Sequence, residues 1–172
     1  IGIGTSVMIT GPPEDGFGQI LYNRSTNLSL EASRISVSPS GNSISLYGNI
    51  TFSSLYCATP GVTIYFDAGK TYTILGEFTL KGAYASLIKL RSTQDGVQWF
   101  IDPRGPRDLE FMSVKDSNNI NPVEIIAIRS NKEENCTNWD PTTTWLSGAS
   151  GNWSNGANWD TGTPPPAGND VV

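Results

Sequence analysis

The chain has 172 residues, of which 16 are acidic and 11 basic, giving a formal net charge of −5. The basic residues are scattered, which argues against nucleic acid as a partner, because phosphate binding needs clustered Lys and Arg. There is no His, so the commonest general base and metal ligand are missing and a Ser-His-Asp arrangement is excluded.

This length allows one domain, or one with a small appendage. Gly, Pro, Ser, Thr and Asn are abundant, helix formers are sparse, and no stretch repeats apolar residues at a 3.6 period. The chain therefore reads as all-β. No apolar run approaches the roughly 20 residues of a membrane span, so none is expected. The first residues lack a basic region followed by an apolar stretch, which predicts a removed leader or an internal segment.

Ile1, Ile3, Val7 and Ile9 open the chain, and Pro12-Pro13 ends whatever strand Val7 to Ile9 begins. From Gly11 to Gly41 the alternation is weaker, with short strand signals at Ile20 and Tyr22, Leu28 and Leu30, and Ile35 and Val37. From Ser43 to Ser130 short strand signals follow one another. Ile50 to Cys57 is strand-like. Val62, Ile64 and Phe66 alternate with polar residues, as do Phe78 and Leu80, Ile88 and Leu90, and Val97, Trp99 and Ile101. Leu109 and Phe111 flank Glu110, and Ile126 and Ile128 follow. Turn residues fill the gaps: Pro60-Gly61, Ala68-Gly69, Lys81-Gly82, Asp95-Gly96, Pro103 to Pro106, and Asp116 to Asn119. Such spacing fits a solenoid, a sandwich or a barrel, and no exact internal repeat selects among them. After Asn131 the character changes. Trp139, Trp145, Trp153 and Trp159 stand among Gly, Ser, Thr and Asn, before Pro164-Pro165-Pro166 and a final Asp170-Val171-Val172. The expected division is a β-rich domain over 1–140 and a Trp/Gly/Pro-rich connector or cap over 141–172.

Asp102, Asp108, Glu110 and Asp116, with Arg104, Arg107 and Lys115 nearby, are the first group to test as a polysaccharide lyase or hydrolase site. Each fits an outward strand or turn position, and the oxygen spacing of a calcium loop is absent, so a solvated face is expected, with no enzyme activity and no cofactor. Trp145, Trp153 and Trp159 offer either a sugar-stacking platform or the local core of a segment with little other apolar material. Cys57 and Cys136 belong to no Cys-x-x-Cys pair, which leaves a disulfide or two free thiols rather than a metal site. Sequons at Asn23, Asn27, Asn49, Asn135 and Asn152 mark candidate glycosylation positions, little above the number that this composition gives by chance.

Trp145-x-Ser147-Gly148, Gly151-Asn152-Trp153-Ser154, Ala157-Asn158-Trp159-Asp160, Gly162, Pro166 and Asn169-Asp170-Val171-Val172 together resemble an opening motif. It belongs to large bacterial cell-surface proteins with parallel β-helix passengers, autotransporter-like ones included. Leu55 to Gly61, Gln98 to Ile101, Phe111 to Asn119 and Asn138-Trp139 are similar to the final coils and closing motif of such domains. The resemblance covers roughly 50–172 and implies a right-handed parallel β-helix with a structural rather than catalytic pattern. An antiparallel β-sandwich is the alternative. Because the closing motif precedes the opening one, the resemblance implies a permuted unit.

Reading the end into the start places Val171, Ile1 and Ile3 on one face of a single strand. A head-to-tail join of that kind generates a fibre when it does not close a ring. Asp170, Val171 and Val172 on one side, and Ile1, Ile3, Val7 and Ile9 on the other, are the expected interface between copies. The expectation is a structural unit of an extracellular filament or cell-surface stalk, with a carbohydrate-binding adhesin as the alternative and polysaccharide as its partner.

Overall fold

The computed structural model describes residues 5–10, 19–23, 34–37, 43–146, 148, 151–167 and 169–171. Three strands come first: β1 (Thr5–Thr10), β2 (Gln19–Asn23) and β3 (Arg34–Val37). β4 (Ser43–Tyr47), β5 (Ile50–Cys57), β6 (Thr63–Phe66), β7 (Thr71–Ile74) and β8 (Phe78–Lys81) follow. Next are β9 (Ile88–Ser92), β10 (Trp99–Pro103), β11 (Arg107–Glu110), β12 (Met112–Val114) and β13 (Ser117–Asn119). β14 (Ile125–Ala127), β15 (Asn131–Lys132), β16 (Trp139–Thr143) and β17 (Asp170–Val171) complete the set. The described residues contain no α-helix, only a short 3-10 turn at Gly156–Asn158.

From β4 onward the strands pair in parallel. β4, β6, β9, β12 and β15 are successive neighbours, with Ile44, Ile64, Leu90, Val114 and Lys132 on one rung. In the second sheet Ile50, Tyr72, Ile101 and Asn119 share a rung across β5, β7, β10 and β13. The far half of β5 pairs instead with β8 and β8 with β11, aligning Cys57, Leu80 and Leu109. β14, β16 and β17 form a third parallel sheet. The antiparallel ladders lie at the start, where β2 pairs with β1 and β3 with β4. The chain is thus all-β and built on parallel sheets, and from β4 to β13 it passes back and forth between the first and second sheets.

Two-residue alternation explains the core. Ile64 and Phe66, Phe78 and Leu80, Ile88 and Leu90, and Trp99 and Ile101 are all buried. β5 breaks the period, with Ile50 and Phe52 buried and then Leu55 and Cys57, because the strand bends from its β7 partner to its β8 partner between them. Aromatic rings run along the centre. Phe66 stacks on Trp99 with ring centres 3.9 Å apart, Tyr72 meets Phe66 edge-on at 4.9 Å, and Trp99 meets Trp139 at 6.5 Å. Tyr72 keeps its hydroxyl satisfied, donating to the Leu46 carbonyl at 2.7 Å and accepting from Asp67 N–H at 2.8 Å. Burial pushes that phenol well above its usual pKa. Turns stack as closely as strands: a Cβ on Gly105 would lie 2.1 Å from the Gly76 carbonyl oxygen.

Three inward expectations are corrected. Ile126 and Ile128 are 60% and 47% exposed, and Ile125 and Ala127 point inward instead, so the strand exists with the opposite face buried. Val97 lies in the turn before β10 and is exposed. Phe111 sits at a corner with φ 53° between β11 and β12, half-buried rather than in the core. The signals at Leu28 and Leu30 fall outside the described residues.

Candidate functional site

The outward side chains of the first sheet build an open groove. β6 contributes Thr63 and Tyr65, and β9 contributes Lys89 and Arg91, which lie beside them in register as Thr63–Lys89 and Tyr65–Arg91. With Thr93, Asp95, Lys115 and Glu133 they line an open groove of about 520 Å³. Arg91 is fixed in its floor. Its guanidinium donates to the carbonyls of Leu90 at 2.9 Å and Ser113 at 3.0 Å, to Ser113 Oγ at 2.9 Å, and to the Glu133 carboxylate. Ser113 Oγ also donates to Glu133. Lys115 reaches Asp95 at 2.7 Å and Glu134 at 3.5 Å, and the hydrogen bond to Asp95 raises its pKa. Lys89 is exposed and takes part in no ion pair among the described residues. Sequence inspection places Tyr65, Lys89 and Arg91 on outward positions, but only the register between strands brings them together.

The acidic residues Asp102, Asp108, Glu110 and Asp116 do not converge on one site. Asp102 pairs with Arg104 at 2.7 Å and accepts from Asn121 Nδ2 at 2.9 Å. Asp108 and Glu110 both hold Lys81, at 2.5 and 3.5 Å, and Glu110 also holds Arg129 at 2.8 Å. Asp116 is buried at a left-handed corner, φ 53°, where it accepts from Gly96 N–H at 3.1 Å and from Asn135 Nδ2 at 2.8 Å. Arg107 is clamped by the carbonyls of Pro103, Val123 and Glu124 and by Asn121 Oδ1. Among the described residues no three His, Cys, Asp or Glu side chains are grouped to hold a metal ion.

The tryptophans of the tail pack on one another. Trp159 is fully buried and meets Trp145 and Trp153 edge-on at 4.9 and 4.4 Å, while its Nε1–H donates to the Trp153 carbonyl at 2.8 Å. Trp153 stays 55% exposed. Trp139 belongs to the main core, with its Nε1–H on Ser117 Oγ at 3.0 Å. The tail is tied to the sheets by Ala85 N–H on the Thr161 carbonyl, Asn131 Nδ2 on Thr163 Oγ1, and Lys132 N–H on Asn169 Oδ1.

Of the two alternatives for Cys57 and Cys136, a disulfide or two free thiols, the structure has two free thiols. Cys57 points into the core from β5, on the rung of Leu80, while Cys136 lies against the Val114 and Glu134 carbonyls near β16. Burial raises both thiol pKa values, that of Cys136 to about 11, so neither is an activated nucleophile. Of the sequons, Asn49, Asn135 and Asn152 are exposed. Asn135 nonetheless commits its amide to Asp116 and to the Gly96 carbonyl. Asn23 ends β2, and Asn27 lies outside the described residues.

The two ends of the strand stack differ. β17 lies parallel on β16, with Asp170 beside Thr142 and Val171 beside Thr143, and β16 is its only strand partner among the described residues. At the opposite end β1, which carries Val7 and Ile9, lies between β2 and β5, so both its edges are already paired and β2 is the edge strand. Ile1, Ile3 and Val172 lie outside the described residues.

No family model matches the chain, and neither the curated proteins nor the solved structures include a match to it.

Proposed function

We propose that the chain is a right-handed parallel β-helix acting as a structural unit of an extracellular filament or cell-surface stalk, extended end to end by strand addition. The observation that carries this is β17. It sits on β16 in parallel register and has no second strand partner among the described residues, and a strand edge of that kind recruits another strand. The passage back and forth between parallel sheets from β4 to β13 supports a coiled path, and right-handed crossovers dominate such connections. The expected contact with β1 shifts, because β2 covers that edge; the incoming strand meets β2. The resemblance to bacterial surface passengers supports an extracellular setting.

Electron microscopy of the chain at neutral pH tests the assembly. Filaments whose axial repeat is one stacked domain are expected, and Val171→Asp abolishes them while circular dichroism of the monomer stays unchanged. Isolated particles from the unaltered chain, or filaments that survive Val171→Asp, overturn it.

A further inference from the structure

The groove on the first sheet has no part in end-to-end assembly, and its chemistry is specific enough to name a ligand class. We infer that it binds an extended polysaccharide bearing carboxylates, with Tyr65 as the stacking surface and Lys89 as the principal carboxylate partner.

Four observations converge. The groove's volume of about 520 Å³ falls within the roughly 300–1,000 Å³ of small-ligand sites. It is open and runs across β6 and β9 to Lys115 and Glu133, which follow β12 and β15, so it suits a chain rather than a compact molecule. Its lining is hydroxyls, charges of both signs and one aromatic ring, Tyr65, which is 36% exposed; no aliphatic side chain lines this groove to hold a peptide side chain. The ring offers a flat apolar face with a polar tip, the combination that a sugar ring with axial hydrogens and equatorial hydroxyls can use.

The charge preference follows from which cations are already committed. Arg91 is saturated by two carbonyls, Ser113 and Glu133, so it fixes the groove floor and adds little net field. Lys115 is held by Asp95 and Glu134, whose side chains are 86% and 82% exposed; solvent screens pairs this wet, and the ammonium can exchange them for a ligand carboxylate. Lys89 has no ion-pair partner among the described residues, and it lies diagonal to Tyr65 on the neighbouring strand. A ring stacked on Tyr65 therefore carries its carboxylate toward Lys89, and the next acidic residue along the chain toward Lys115. Neutral glycans gain only the stacking.

The test uses the full chain and two matched probes: alginate hexamers, and the same hexamers with their carboxylates reduced to alcohols. Calorimetry is expected to show saturable binding of the acidic form and at least tenfold weaker binding of the reduced form. Lys89→Glu is expected to weaken acidic binding at least tenfold, and Tyr65→Ala to weaken both forms. Both side chains are on the surface, so circular dichroism should stay unchanged. Absence of binding to either probe, equal binding to both, or acidic binding untouched by Lys89→Glu overturns the proposal. None of these outcomes bears on filament formation, which Val171→Asp reads separately.

Discussion

The middle strands and the last ones solve the same packing problem with different chemistry. From β4 to β12 the inward rungs are apolar: Ile44, Ile64, Leu90 and Val114 on one sheet, and Ile50, Tyr72 and Ile101 on the other. From β13 onward polar residues join Ile125, Ala127 and Trp139 inside, including Ser117, Asn119, Ser130, Asn131 and Thr143, all buried. Those groups are paired. Asn119 Nδ2 donates to the Val123 and Asn138 carbonyls, Asn121 N–H donates to Asn119 Oδ1, and Thr143 Oγ1–H donates to the Ser130 carbonyl. The first region is held by area removed from water, which tolerates imprecision. The second is held by a hydrogen-bond network, which is strong only while every member is satisfied. The polar region is also the one that tethers an irregular tail, here the Trp cluster and β17, through Asn131 and Lys132.

Substitution in the two regions should expose that difference. Trp99→Ala removes a fully buried ring stacked on Phe66 and is expected to destabilise by about 3–5 kcal/mol, read as a large fall in the midpoint of thermal unfolding. Asn119→Leu replaces a polar residue with one that extends the apolar rung above it. If area alone mattered, it would be stabilising. It is instead expected to destabilise by about 1–3 kcal/mol, because it leaves the Asn121 N–H without its acceptor and removes one of the two donors from each of the Val123 and Asn138 carbonyls, which keep only Arg107 and the Ile125 N–H. A neutral or stabilised Asn119→Leu variant would mean that the last strands are held as the middle ones are.

The same contrast explains what was legible in the sequence. Strands with polar partners at alternate positions, such as Phe78-Thr79-Leu80-Lys81 and Ile88-Lys89-Leu90-Arg91, reveal both their existence and their buried face. Ile125-Ile126-Ala127-Ile128 does not, because both faces carry apolar residues and the small Ala127 is the inward one. β5 is legible as a strand but not as a bent one, since the bend appears only as a three-residue step between Phe52 and Leu55. The inward polar residues of the last strands read as turn or loop residues, because Asn and Ser carry no sign of where a partner lies. The groove was hidden for a related reason. Tyr65, Lys89 and Arg91 are ordinary outward residues until the unequal intervals between Ile44, Ile64, Leu90 and Val114 are resolved into one rung. Asp102, Asp108, Glu110 and Asp116 are close in sequence yet separated by the turns between β10, β11 and β12.

A smaller effect should distinguish the corner between β10 and β11 from the solvated carboxylates around it. Burial at Asp102 would raise its pKa, but hydrogen bonds from Asn121 and Arg104, with the positive charges of Arg104 and Arg107, outweigh it and leave the carboxyl below its ordinary value of 3.8. A group depressed in the folded state stabilises the fold above its unfolded pKa, and that contribution is lost as pH falls through the folded value. Stability from this corner should therefore be fully present at neutral pH and decline only below about pH 4. Asp102→Asn removes the ionisation and the pairing with Arg104 together. The variant is expected to unfold at a lower temperature at pH 7 and to converge on the unaltered chain as the pH approaches 2. A gap that stays constant across that range would show that the carboxylate contributes shape and hydrogen bonding at this corner, and that its charge contributes nothing.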